Sequence, residues 1–509
     1  MATDTTSALK IYALINYEDP YVQPLILAAL QKHLPPSAYH FITSVKDLPS
    51  ASSPLLQFMQ YESLDFEHLL SHPTTSLANA YVIRKALIRK HFLSTMVANW
   101  IVKYPDSVLK RHVKPSVAFE VDYAEFLDDA LVEAWELKES WARGEAGGDG
   151  EKEWWILKPG MSERGQGIRL FSSEEELVGI FEGWDSESEE EDDDDEREEA
   201  DARSNADEPC LPTTTTTNPA KPPTEKDNNK GIITSQLRHF IAQPYIHPPL
   251  LLHPPSSSPP SQDPTSLRKF HIRTYILATG ALKIYIYKPM LALFAARPYT
   301  SPSASTFNSG GGDDDEEEGL DEALKAHLTN TCLQDTGERE GSVGLFWDLP
   351  DTLPPQPSFP FTHSSAITTT TAPLSVPTWK SQTFAQICSI TGELFEAAAR
   401  GMSVYFQPLP NSFEVFGLDF MVSVEQGGGS GGAEVRTWLL EVNAFPDFRQ
   451  SGERLKGVVG GLFEGVVRMG VAPFFGIDGG GDGQEGEGED GDGDGGDMVK
   501  VLDIDLGRR

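Results

Sequence analysis

Apolar and polar positions recur with two different periods along this chain, and the switch between them divides it. Lys10–Asn16 (KIYALIN) is a short β-rich run, Tyr17–Pro20 carries turn chemistry, and Val22–Leu34 repeats apolar positions at helical spacing. Pro24 is tolerable near the start of that helix. A strand–turn–helix opening predicts a small α/β domain. Ser76–Trp100 and Tyr123–Arg143 read as two further helical stretches, the first carrying Arg84, Lys85, Arg89 and Lys90. From Trp154 the period shortens to two. Residues 154–158 (WWILK), 167–171 (GIRLF) and 237–246 (LRHFIAQPYI) read as strands. Residues 269–279 and 282–295 predict a hairpin turning at Gly280. Residues 413–424 and 435–444 predict another, joined through QGGGSGG. The whole reads as a mostly antiparallel α+β core.

Composition changes that picture between the elements. Stretches near 185–230, 253–266, 300–322 and 350–378 are acidic or rich in Pro, Ser and Thr, and read as disordered insertions. Of the formal charge of −36, residues 185–201, 313–322 and 478–497 together carry −29, so the foldable part is only mildly acidic. No basic stripe offsets phosphate charge, which argues against nucleic acid as the main partner. Cys210, Cys332 and Cys388 lie far apart with no CxxC and no ligand spacing, so neither a disulfide framework nor a zinc site is expected. Glu18 and Asp19 interrupt the first apolar run, and no run approaches the roughly 20 residues that span a bilayer. A cytoplasmic protein without a leader or membrane partner is the expectation.

Three segments carry candidate chemistry. Alternation puts Glu441 and Asn443 on one strand face, and Asp419 of the preceding strand lies beside them if the hairpin pairs. Two carboxylates and an amide among apolar neighbours suit Mg²⁺, which takes few protein oxygens plus substrate phosphates. Ordinary edge positions would also explain Asp419 alone. The second segment delivers Lys158 on a strand, then a loop with Gly160, Arg164, Gly165 and Gly167. Glycines let backbone N–H groups approach phosphate oxygens while Lys158 and Arg164 supply charge, although a plain glycine hairpin reads the same way. The third places Lys269, His271 and Arg273 on one strand face opposite Phe270 and Ile272, which suits an anion site or a solvated face.

Taken in chain order, these segments resemble the tubulin–tyrosine ligase family of the ATP-grasp superfamily. The matches are N-x₄-RK-x-L at Asn79–Leu87, WILKPGMSERGQGI at Trp155–Ile168, and AQPYIHPPLLL at Ala242–Leu252. RKFHIRTYIL at Arg268–Leu277, HLTN at His327–Asn330, and FGLDFM with WLLEVN follow. The resemblance implies an ATP-grasp fold with an N-terminal α/β domain over 1–83, a central domain over 84–252 and a C-terminal domain over 265–475. An acidic Gly-rich segment, 476–497, follows. It implies Lys85, Lys158, Arg164, Gly165 and Gly167 on ATP phosphates, and Gln243, Tyr245 and Ile246 at adenine. Lys269 and Arg273 would meet the γ-phosphate and the reacting carboxylate. Asp419, Glu441 and Asn443 would bind Mg²⁺, with Thr329 and Asn330 lining the same pocket.

The implied activity is ATP-dependent carboxylate–amine ligation through an acyl-phosphate. A free amino acid, tyrosine first, would be added to a protein acceptor such as α-tubulin. Three positions depart from the family pattern: His271 stands for an aspartate, Leu293 for an arginine and Pro244 for a lysine. The intact Asp419, Glu441 and Asn443 set favours the ligase, while His271 and Leu293 favour the alternative, a non-catalytic ATP-binding module that engages protein partners.

Deleting residues 185–201 should leave the fold intact, because thirteen acids in seventeen residues have no core to contribute to. Thermal melting checks it, and a large loss of stability in the deletion would overturn the insertion reading.

Overall fold

In the computed structural model, residues 10–147, 152–160, 167–185, 238–255, 264–303, 322–329, 341–357, 379–426, 433–477 and 496–507 are described. The acidic runs therefore fall almost wholly outside the described residues. Asp185 is an exception: it closes a helical stretch, and its carboxylate accepts from the Ala124 backbone N–H at 2.6 Å. The deletion above should accordingly begin at residue 186.

The chain forms two compact units. One contains Met1–Pro115, Ile246–Ser301 and Asp321–Arg509; the other contains Ser116–Tyr245 and Pro302–Leu320. In the first, Tyr39–Phe41, Ile11–Asn16, Leu55–Met59 and Ser76–Ala78 lie in that order in a parallel sheet. The helix Gln23–His33 buries Ile26, Ala29 and Leu30, as the α/β opening predicted. Ser76–Trp100 is not one helix. Its start is the fourth strand, and helix occurs only at Lys85–Ile88 and Lys90–Lys103. The reason is Asn79, whose buried side chain accepts from Met59 N at 3.0 Å and donates to Met59 O at 2.9 Å, holding the chain extended.

The larger sheet of this unit is built around one long strand, Arg268–Thr279. Phe413–Gln426 pairs antiparallel along one edge, and Ala433–Ala444 pairs beyond it. The hairpin at Gly280 is present, with φ of 58° at that glycine. Its second arm is two strands rather than one, Lys283–Tyr287 and Leu291–Phe294, set end to end on the other edge. Pro289 lacks the N–H that would continue the ladder. Along the long strand, Phe270, Ile272, Ile276 and Ala278 pack into a core with Trp379, Leu394 and Phe395 of the helix Trp379–Gly401. Tyr275 and Leu277 enter the opposite core with Phe58 of the parallel sheet and Phe463 of the helix Lys456–Val466. Lys269, His271 and Arg273 share the parity of Tyr275. One end of that face is therefore charged while the other is apolar.

The second unit is a four-stranded antiparallel sheet in the order Val117–Glu120, His239–Pro244, Trp155–Pro159, Arg169–Phe171. The helical reading of Tyr123–Arg143 breaks here. A 3₁₀ turn at Ala124–Phe126 and a helical turn at Leu127–Ala130 precede the helix Trp135–Gly147. Leu127, Leu131, Ala134, Leu137 and Trp141 keep helical spacing in the core, but the consecutive Asp128 and Asp129 disfavour a continuous helix.

One buried ion pair fastens the parallel sheet to the larger one. Arg84 Nε lies 3.1 Å from Glu414 Oε1, and Tyr81 N donates to Glu414 Oε2 at 3.1 Å. The guanidinium stacks 3.7 Å from the Tyr61 ring centroid. Burial pushes the Glu414 carboxyl from 4.5 up to about 7, against the opposing pull of Arg84 and the Tyr81 amide. A raised carboxyl means that the folded state holds the proton more tightly. This group's contribution to stability therefore falls as pH rises from about 4.5 through about 7. Arg84→Met should cost about 3–5 kcal/mol at neutral pH by stranding the carboxylate, and less near pH 5, where the carboxyl is protonated. Denaturant unfolding at both pH values checks this; an equal loss at both would show that Arg84 acts through packing alone.

Candidate functional site

The site grows from the pairing of three strands. Arg273 lies opposite Asp419, which lies opposite Glu441, and Gly417 lies opposite Asn443. The ladder between the last two strands shifts after Asp419: Phe420 pairs with Leu439, leaving Leu440 extra. Val435, Leu439 and Val442 therefore line the apolar core, while Leu440 and Glu441, although adjacent, both lie on the other face. The β-bulge turns Glu441 and Asn443 toward Asp419.

Arg273 grips the Asp419 carboxylate with both arms of its fork. Nε donates to Oδ1, and Nη2 donates to Oδ2 at 3.0 Å. The Arg273 stem crosses Gly417, where a Cβ would stand 2.7 Å from Pro446 Cβ and 3.2 Å from Arg273 Cδ. Only a glycine leaves room there. Asn443 Nδ2 donates to Asp419 Oδ2 at 3.3 Å and to Glu441 Oε1 at 3.2 Å. Lys90 Nζ stands 3.8 Å from Glu441 Oε2. His271 Nδ1 meets Thr329 Oγ1 at 2.6 Å, and Nε2 lies 3.6 Å from Asp419 Oδ1. Asp419, His271 and Arg273 are all buried.

Burial alone would lower the Arg273 pKa, but the Asp419 carboxylate outweighs it and holds the guanidinium protonated. Burial lowers the His271 pKa against the pull of Asp419, so the imidazole is neutral. Lys269 is buried near two further histidines. Burial, with Lys269 adding to it, takes His247 down to about 4 and His327 to about 3.

The remaining candidates lie on other elements. Lys158 is buried in the second unit, where its Nζ donates to Gln243 Oε1 at 3.2 Å across adjacent strands. Gly167 takes φ of 69°, a conformation open to glycine. Tyr245 closes that unit, its N–H bonded to Trp154 O at 2.7 Å. Ile246 opens the other unit and packs with Met421, Trp438 and Leu440. Lys85 is exposed at the start of a short helix. Arg164, Gly165 and Asn330 lie outside the described residues.

Sequence patterning did not single out Lys90, His247 or His327 for the site. Lys90 reaches Glu441 from a helix far away in sequence, which no local period reveals. Leu293, noted for its departure, pairs across the ladder from His271.

The donor set fits a divalent cation shared with phosphates. Two carboxylates and an amide converge on one face, with Arg273, Lys90 and Lys269 around them. Among the described residues, no group of three His, Cys, Asp or Glu side chains is placed to hold a metal ion, so the set is two carboxylates and an amide. An open set of this kind is how Mg²⁺ is held when phosphates complete its shell.

Known proteins resemble this chain along most of its length. The model of the tubulin-tyrosine ligase family matches residues 77–352 and 360–476. A probable tubulin–tyrosine ligase of Schizosaccharomyces pombe is 36% identical over 476 residues, covering 93% of this chain and 94% of that protein. The probable tubulin–tyrosine ligase Pby1 of Saccharomyces cerevisiae is 35% identical over 463 residues, and the match spans 51% of its length. Among solved structures, the C-terminal domain of K. lactis Pby1 is described as an ATP-grasp enzyme interacting with the mRNA decapping enzyme Dcp2. It is 31% identical, covers 97% of this chain and 99% of its own, and superposes with a TM-score of 0.57. The fold is ATP-grasp.

Asp419→Leu should destabilise the fold by about 3–5 kcal/mol, because it strands a buried guanidinium. Adding Arg273→Met should recover most of that loss. A double-mutant cycle by denaturant unfolding checks the coupling, and purely additive costs would refute it.

Proposed function

The chain belongs to the tubulin–tyrosine ligase family, and on that premise we propose that it is an ATP- and Mg²⁺-dependent carboxylate–amine ligase. It adds a free amino acid, tyrosine as the leading candidate, to a protein C-terminus such as that of α-tubulin. The observation that carries this reading is the network joining Arg273, Asp419, Asn443 and Glu441 on the bulged strand pair. Bound ATP supplies the phosphoryl group that turns an unreactive carboxylate into an acyl-phosphate, from which an amine displaces phosphate.

The protein's part is positioning and charge neutralisation. Asp419, Glu441 and the amide of Asn443 hold the cation. A flip of the Asn443 amide turns its oxygen inward without moving the backbone. Arg273 and Lys269 offset charge on the γ-phosphate and on the carboxylate being activated. Lys85, Lys158, Arg164, Gly165 and Gly167 bind the remaining phosphate oxygens. Gln243, Tyr245 and Ile246 hold adenine, and Thr329 and Asn330 line the pocket. No covalent protein nucleophile is required.

One comparison supports a second reading. The K. lactis relative is described as interacting with Dcp2, so a nucleotide-binding module docked on an mRNA-decapping protein, without ligation, is the alternative.

Arg273→Lys keeps a charge beside Asp419 but loses the fork. It should lower turnover roughly a hundredfold while Mg²⁺–ATP affinity changes little, the scale of losing one transition-state donor. Mass spectrometry of candidate acceptors incubated with ATP and each amino acid measures ligation; calorimetry on the same preparation measures binding. Near wild-type turnover in the variant would remove Arg273 from the chemistry. ATP binding without ligation by any donor would favour the partner-binding module.

A further inference from the structure

We propose that the segment Tyr123–Trp135 is a docking surface for a basic, amphipathic segment of another protein. The proposal concerns the second unit alone and does not depend on the ligase reading.

The case begins with apolar side chains left in water. Among the described residues, ten large hydrophobic side chains are exposed, and four of them fall between Tyr123 and Trp135. Tyr123 is 54% exposed, Phe126 48%, Val132 55% and Trp135 65%. Single exposed hydrophobics are ordinary, but four on one short segment call for a cause. An unfilled core is not that cause. Leu127, Leu131, Ala134 and Leu137 of the same stretch already pack into the core of the unit with Trp155, Phe171 and Phe240. The exposed four are surplus to that packing.

The segment that carries them is fastened. Tyr123 and Phe126 meet edge to face, with ring centroids 6.3 Å apart and planes at 68°. Between them, Ala124 N donates to Asp185 Oδ2 at 2.6 Å, which ties the segment to the end of another helical stretch. Leu131 N bonds to Leu127 O and Ala134 N to Leu131 O, both at 3.0 Å, on either side of Val132. A surface ordered before it binds loses less conformational entropy on binding. Tyr, Trp and Phe are also the side chains enriched at the centres of protein interfaces.

The chemistry of the partner follows from charge. Glu125, Asp128, Asp129, Glu133 and Glu136 are all exposed, and Lys138 is the one base between residues 123 and 139. The described residues end at Asp185, bonded to Ala124, and the sequence continues with twelve acids and one Arg over 186–201. Apolar anchors bordered by carboxylates select a segment whose own apolar residues are flanked by Lys or Arg. They reject acidic segments, the acidic insertions of this chain among them.

A phage-displayed library of random peptides, selected on the full chain, reads this preference directly. Peptides kept by wild type and lost on Phe126→Ser/Trp135→Ser should carry Lys or Arg beside large apolar residues. Synthetic copies, followed by fluorescence anisotropy, should bind Trp135→Ser about tenfold or more weakly than wild type. Asp128→Asn/Asp129→Asn should weaken them about threefold and flatten the loss of affinity with rising salt. The replaced side chains are exposed, so thermal melting of the variants should match wild type. Selected peptides that are neutral or acidic, or whose binding ignores both variants, would overturn the proposal. So would a wild-type dimer in sedimentation that Phe126→Ser/Trp135→Ser dissolves, since a second copy would then be the occupant. Flotation with phosphatidylcholine vesicles that depends on Trp135 would overturn it in favour of a lipid surface.

Discussion

A one-residue slip between two strands shapes the candidate site of this molecule. Had Ala433–Ala444 run beside Phe413–Gln426 without the bulge at Leu440, Glu441 would share the parity of Leu439 and enter the apolar core. A carboxylate without partners there would cost several kcal/mol. The bulge instead lets Val442 continue the core while Glu441 and Asn443 join Asp419 on the polar face. Arg273 completes the arrangement from the neighbouring strand, and Gly417 clears the path for its stem. The site is thus a consequence of strand register, with no loop needed to assemble its centre.

Two buried ion pairs on the strand Phe413–Gln426 show how surroundings separate structure from chemistry. Glu414 faces Arg84, whose guanidinium lies between the rings of Tyr61 and Phe445 at 3.7 and 5.0 Å. That pair is buried against aromatic rings and links the parallel sheet to the larger one. Asp419 faces Arg273, but its other neighbours are an amide, an imidazole and a second carboxylate. All of those bear lone pairs that a cation can engage. The same Arg–carboxylate chemistry gives a staple in one place and the centre of the candidate site a few residues further along.

Local periodicity made much of this legible. Alternation along KFHIR put Lys269, His271 and Arg273 on one face, and the paired hairpins follow their apolar patterns closely. The breaks came where one side chain overrides a period. Asn79 bonds to Met59 and turns a helical pattern into a strand; Pro289 divides an otherwise continuous arm. The bulge was not legible, because alternation read alone places Glu441 and Asn443 together without saying which face they take. Nor was Lys90, whose proximity to Glu441 depends on tertiary packing.

The exchange of an aspartate for His271 alters two quantities at once. With a carboxylate there, three negative side chains would face Lys90, Lys269 and Arg273. Burial keeps the imidazole neutral, so two carboxylates now face the same three cations. The face gains one unit of positive character relative to the family pattern, which favours the polyanionic phosphate chain. It also loses one hard oxygen donor, which weakens its hold on Mg²⁺. Charge and coordination therefore point to different outcomes. A site that lost its cation affinity would still attract phosphates, the behaviour of a nucleotide-binding module.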